Sequence, residues 1–127
     1  MNPVIVEYFR NIEKQLLENQ LVISYKILRR EVAYTDGKLR IKVTFADRSM
    51  AELFEYITIS DGRMNLSKYG FHWQDKQGEL KCRWDNAPHH PELPNAPHHR
   101  HNSDGSVSGI MQRPLWCSGR NTADIDF

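Results

Sequence analysis

From Leu21 to Asp85 apolar and polar side chains alternate with a period of two, broken at short runs of turn-forming residues. That period places successive side chains on opposite faces of an extended backbone. The breaks are Asp36-Gly37, Asp47-Arg48, Asp61-Gly62 and the stretch from Asp75 to Gly78. Connections this short join antiparallel neighbours, because a parallel pair needs a crossover of a dozen or more residues. The expected strands run over about 22–34, 38–46, 49–59, 66–75 and 79–85, and Leu39, Ile41, Val43 and Phe45 give the clearest alternation. The pattern predicts a five-stranded antiparallel meander.

One face of such a sheet needs an apolar cover. The N-terminal segment supplies it: Asn2 can cap a helix with Pro3 at its first position, and Ile5, Phe9, Ile12 and Leu16 recur at helical spacing, with Tyr8 widening the stripe. Residues 3–18 read as an amphipathic helix. The fold class is therefore α+β, an N-terminal helix packed on a five-stranded meander and followed by a Pro/His-rich loop.

Beyond Asp85 the alternation stops, and Pro88, Pro91, Pro94 and Pro97 remove backbone donors, which excludes helix and central strand. Residues 86–101 read as a stiff, extended loop belonging to a single domain over 1–102. Residues 103–127, rich in Ser, Gly and Asn, read as a poorly ordered tail. A chain of 127 residues with a net charge of +1 fits one domain with no global bias toward nucleic acid or membrane. Cys82 and Cys117 sit in unlike contexts, so no disulfide framework is expected. Met1 to Arg10 lacks a secretory pattern and no apolar run approaches a membrane span, so the expected location is the cytoplasm.

The loop carries five of the six histidines: His89 and His90 follow Asn86-Ala87-Pro88, and His98 and His99 follow Asn95-Ala96-Pro97, with Arg100 and His101 next. Imidazole is a usable acid and base near neutral pH and a common metal ligand, so the cluster alone leaves proton transfer, metal binding and phosphate contact open. As a metal site, His98, His99 and His101 are poorly spaced, since only His99 and His101 point the same way on extended backbone. A solvated loop with incidental metal affinity is the bland alternative.

The neighbouring strands favour a site. On the last strand Lys81, Arg83 and Asp85 share the face opposite Leu80, Cys82 and Trp84. On the strand before it His72 lies opposite Tyr69, Phe71 and Trp73, and hairpin pairing can bring it to the basic strip. Phe71 and Trp73 read as core, whereas Tyr69 stays open between core and a base-stacking role. Asp85 either orients a histidine or, with Asn86, starts a turn. Glu55 shares its face with Leu53 and Ile57, an unusual setting for a carboxylate. The other cations, Lys26 with Arg29-Arg30 and Arg40 with Lys42, read as solvated strand faces.

Cleaving RNA without metal requires a base for the 2′-hydroxyl, an acid for the leaving 5′-oxygen and a cation for charge on phosphorus. His89, His90, His98, His99, His101 and His72 are the candidate acids and bases, with Asp85 as orienter. Arg83, Arg100, Lys81 and Tyr69 are the candidate RNA contacts. No metal or other cofactor enters this reading. Its rivals are a non-enzymatic protein-binding module and a zinc-dependent hydrolase.

The run Arg83-Trp84-Asp85-Asn86-Ala87-Pro88-His89-His90-Pro91-Glu92, with the aromatic-His strand from Tyr69 and the later Pro97-His98-His99-Arg100-His101, resembles the TumE family, toxins of bacterial toxin-antitoxin modules. The meander from about Leu21 is also similar. The resemblance implies a small cytoplasmic toxin, inferred to be a ribonuclease and neutralised by a helix-turn-helix antitoxin of the TumA type; it leaves homodimerisation open. Residues 107–127 depart from the amphipathic C-terminal helix usual in the family, and the second Asn-Ala-Pro replaces another short linker.

Overall fold

In the computed structural model, residues 1–86 and 99–109 are described. The chain opens with helix α1 (Pro3–Glu18), where the Asn2 side chain accepts the Val4 and Ile5 amides and Pro3 stands at the first helical position. Both devices satisfy or remove amide donors that a helix start leaves unpaired. The apolar stripe is buried as spaced: Ile5, Phe9, Ile12 and Leu16 all face the sheet. Fully burying a side chain of this size contributes about 1.5–3 kcal/mol.

Five strands follow near their expected positions: β1 (Val22–Val32), β2 (Asp36–Phe45), β3 (Met50–Ser60), β4 (Arg63–Gln74) and β5 (Leu80–Asp85). Two more extend the sheet, β6 (His99–Asn102) and β7 (Val107–Gly109), so that the described residues form seven strands in sequential order. All pairings are antiparallel. The sequence therefore placed the class and the meander but stopped two strands short. His99 to His101, expected in a loop, lie in β6, and β7 falls inside the segment expected to be a tail.

Turn chemistry fixes the register. Asp61 and Gly62 have positive φ angles of 52° and 71° and join Ser60 to Arg63, the left-handed pair a two-residue hairpin requires. Between β6 and β7, Asp104 accepts from the Ser106 amide and hydroxyl, and Gly105 takes a φ of 89°. Asp36-Gly37, expected as a turn, instead opens β2. Gly37 serves the helix: a Cβ there would lie 2.6 Å from Ile5 Cγ2 and 3.2 Å from Phe9 Cε2. Close approach of helix to sheet needs a residue with no side chain at that point.

The two faces of the sheet differ. Leu39, Ile41, Val43 and Phe45 of β2 and Ala51, Leu53 and Ile57 of β3 are buried on the helix side, and Tyr69, Phe71, Trp73, Cys82 and Trp84 continue that core across β4 and β5. Glu55 lies among them, wholly buried, and accepts a hydrogen bond from the Tyr8 hydroxyl of α1. A buried carboxylate needs such partners to offset lost hydration, and this one ties helix to sheet. The opposite face carries Lys38, Arg40, Glu52, Phe54, His72 and Arg83, all partly or largely exposed.

Candidate functional site

The open face is organised by cross-strand register. One row of directly opposed residues runs Lys42, Glu52, His72, Arg83 and His101 from β2 to β6. The next row runs Arg40, Phe54, Gly70, Asp85 and His99. Opposed residues on one face have Cβ atoms within about 5.5 Å, so each row is a line of neighbours. The first sets Arg83 between two histidines that are 29 positions apart in the chain.

Asp85 joins the rows. Its carboxylate oxygen lies 3.2 Å from Arg83 Nε and 3.6 Å from His101 Nε2. Only 4% of Asp85 is exposed, whereas Arg83 reaches solvent, so the buried carboxylate anchors the base of a guanidinium whose rim stays accessible. The 3.2 Å contact is a charge-assisted pair, while 3.6 Å to the imidazole is longer than a hydrogen bond. Asn86 fixes the exit of β5: its side-chain oxygen accepts the Tyr69 amide at 2.9 Å and its amide donates to the Ser67 carbonyl at 3.2 Å. Those bonds satisfy β4 backbone groups at the irregularity where Ser67 is skipped in pairing with β3.

On the far side of His72, Glu52 binds Arg40 at 2.8 Å, and Arg40 lies over the Phe54 ring with its guanidinium carbon 4.7 Å from the centroid. Gly70 interrupts the second row with no side chain; a Cβ there would meet nothing within 4 Å. The result is a groove of about 420 Å³ whose floor is Gly70 and whose walls include Phe54, His72, Arg83 and Asp85.

Several residues named from the sequence lie elsewhere. Simple alternation puts Lys81 beside Arg83, but Trp73 pairs with Cys82 while Gln74 pairs with Leu80, leaving Lys81 as an extra residue in β5. This bulge turns Lys81 to the helix side, where its ammonium stands 3.6 Å from the Trp73 ring centroid. Arg100 opposes Trp84 in register, and its guanidinium carbon lies 4.9 Å from that ring, on the face opposite Arg83. The two arginines cannot share one phosphate without refolding β6. Tyr69 is 3% exposed and belongs to the core, which removes its ring as a stacking platform. His89, His90 and His98 lie outside the described residues, as does the side chain of His99, whose backbone opposes Asp85.

Nothing in the sequence singles out Glu52 or Phe54, and Arg40 reads there as part of a solvated strand face. The available signal was register: counting back from the Asp61-Gly62 turn sets Glu52 opposite His72 once the skipped Ser67 is allowed for. Among the described residues no three side chains of ligating type are grouped to hold a metal ion. Cys82 is buried beside the site but on the core side, and burial pushes its thiol up to about 11 against a smaller opposing effect of Arg100. It is no nucleophile at neutral pH. No helix among the described residues is long and apolar enough to cross a membrane.

No curated protein and no solved structure matches the chain. One family model does, that of Toxin TumE, over residues 12–115, which takes in every strand of the sheet and the histidine-rich segment. The chain belongs to the TumE family of toxins.

Proposed function

We propose that this toxin is a metal-independent endoribonuclease, acting in the cytoplasm, whose acid and base are His72 and His101 and whose phosphate ligand is Arg83. The observation that carries the reading is the cross-strand row in which Arg83 stands directly between the two histidines. Adjacent strands lie about 4.8 Å apart, so the backbones of the two histidines are about 10 Å apart. A phosphate seated on Arg83 then has one imidazole on each side. That is the disposition an in-line displacement needs, because attacking and leaving oxygens lie on opposite sides of phosphorus.

In the reaction, one imidazole takes the proton of the 2′-hydroxyl as its oxygen bonds to phosphorus, and the other protonates the 5′-oxygen as the bond from phosphorus to it breaks. The products are a 2′,3′-cyclic phosphate and a 5′-hydroxyl end. Arg83 faces the charge that builds on the phosphoryl oxygens. Asp85 faces His101 and holds Arg83 in place. The remaining histidines of the segment, His89, His90, His98 and His99, are close in sequence and can add further proton donors or phosphate contacts. A helix-turn-helix antitoxin is the expected partner that neutralises the toxin.

Cleavage of RNA by the purified chain in excess chelator tests this. His101→Ala and His72→Ala should each lower the rate about 10²- to 10⁴-fold. Undiminished rates in both variants would sink the assignment. Activity abolished by chelator and restored by zinc would assign a metal mechanism instead. No turnover on any RNA, together with a tight, salt-tolerant complex with the antitoxin, would assign a binding module.

A further inference from the structure

We infer that the floor at Gly70, walled on one side by Phe54, is a nucleobase subsite, and that the open face takes RNA as a single strand. This rests on the nuclease reading for the identity of the polymer, and it adds where the base adjoining the reactive phosphate sits. Three observations point to it. Phe54 is a partly exposed aromatic on the open face, which it shares with Tyr56, whose hydroxyl donates to Asp36 and whose ring lies under Lys38, while every aromatic of β4 and β5 is buried on the other face. Its neighbour across β4 in the same row is Gly70, where the space above the backbone is open even to a Cβ. On its other flank Arg40 lies over the ring, held there by Glu52, so the ring is braced from one side.

Phe54 and Asp85 stand on strands two apart, about 10 Å, with only a glycine between. A planar base can stand in that gap against the ring. Its ribose then falls toward the row containing His72, Arg83 and His101. Every base offers a π-face, so this contact selects unpaired bases without strong preference for sequence. A base within a duplex cannot enter.

Charge supports the same occupant. The groove is lined by Arg29, Lys38, Arg40, Lys68 and Arg83 and by the carboxylates of Glu52 and Asp85, each of which already holds an arginine, while Arg29 pairs with Glu31 at 3.0 Å, so Lys38 and Lys68 add to the positive field. Lys38 and Lys68 flank Tyr56 in the third row, on the side of Phe54 away from the histidines. A strand with one base at Gly70 thus has its reactive phosphate at Arg83 and its next phosphate directed to the lysines.

The test is direct binding of a fluorescein-labelled, fully 2′-O-methylated single-stranded oligonucleotide to the full chain, which removes the nucleophile and so separates binding from cleavage. Phe54→Ala should weaken binding about tenfold, within the range for loss of one stacked base, while Phe54→Trp should retain it. Gly70→Val should weaken it similarly by filling the floor, and since no atom lies within 4 Å of the added Cβ the fold should tolerate it. A duplex of the same sequence should bind more weakly and be indifferent to Phe54→Ala. Unchanged affinity in Phe54→Ala and Gly70→Val variants that melt like the parent overturns the subsite, as does a duplex bound equally well or a strand not bound at all. Binding sensitive to Phe54, with no cleavage of the matching 2′-hydroxyl strand, would keep the subsite and overturn the nuclease reading. Cleavage with Phe54-independent binding would do the reverse.

Discussion

The two faces of one sheet are built from the same strands in the same register, yet they follow different rules. On the helix side, apart from Glu55, which accepts from Tyr8, and Gly37, which lets α1 approach, what matters is filling space between α1 and the strands, so an apolar residue can be exchanged for another of similar volume. On the open side the contacts are between charged and aromatic groups, and what matters is which of them stands opposite which. Arg83 and Arg100 show the contrast most sharply. They lie on paired strands one register step apart, yet one is anchored by Asp85 on the open face and the other covers Trp84 on the core face.

The sharpest way to break this contrast is to exchange a residue on each face. Phe9→Ala should cost about 3–5 kcal/mol of unfolding free energy, since the ring is wholly buried. His101→Ala should leave the denaturation midpoint nearly unchanged while removing most RNA cleavage. A His101 variant that unfolds as readily as the Phe9 variant would merge the two faces into one structural unit. A smaller effect separates the two arginines. Arg83→Gln should reduce the slope of log affinity against log salt by about one on a single-stranded oligonucleotide, whereas Arg100→Gln should leave that slope alone and lower stability instead. Equal salt slopes in the two variants would mean that β6 presents both faces to RNA.

The smallest expected effect concerns pH. Burial raises the Cys82 thiol from 9.0 to about 11, so the unfolded chain ionises it before the folded chain does. A group raised on folding contributes stability that is present below its unfolded value and is lost as pH climbs through the folded one. Stability should therefore fall between about pH 9 and 11, and part of that fall should be absent in Cys82→Ala, as followed by denaturant titration across this range. An identical decline in parent and variant would show that the thiol is solvated.

The core face was legible in the sequence because the hydrophobic effect writes it in a binary alphabet. Helix α1 and its four buried positions emerged from spacing alone, and β2 to β5 from alternation between turn residues. The open face was legible only in part. His72 was expected to join Arg83, and it stands directly opposite, because hairpin pairing carries that information. Lys81 went astray because a bulge changes the parity of a strand without leaving an apolar signature, and Arg100 because His99 to Asn102 contain no apolar residue from which to read a strand. The Asp104-Gly105 turn was the remaining clue to β6 and β7, weak without alternation on either side. Glu55 stayed ambiguous for the opposite reason: its partner Tyr8 lies 47 residues away, beyond the reach of local pattern.

Strand order along the sheet also sets an order in time. The chain is synthesised from α1 toward β7, and His101 reaches Arg83 only when β6 has emerged and paired with β5, long after the hairpin bearing His72 can have closed. A chain that ends before β6 holds His72, Arg83 and Asp85 but lacks His101 opposite Arg83. Under the proposed nuclease mechanism, a nascent chain would not cleave RNA until His101 had joined Arg83, and a partner that neutralises the finished toxin would have that interval in which to be present.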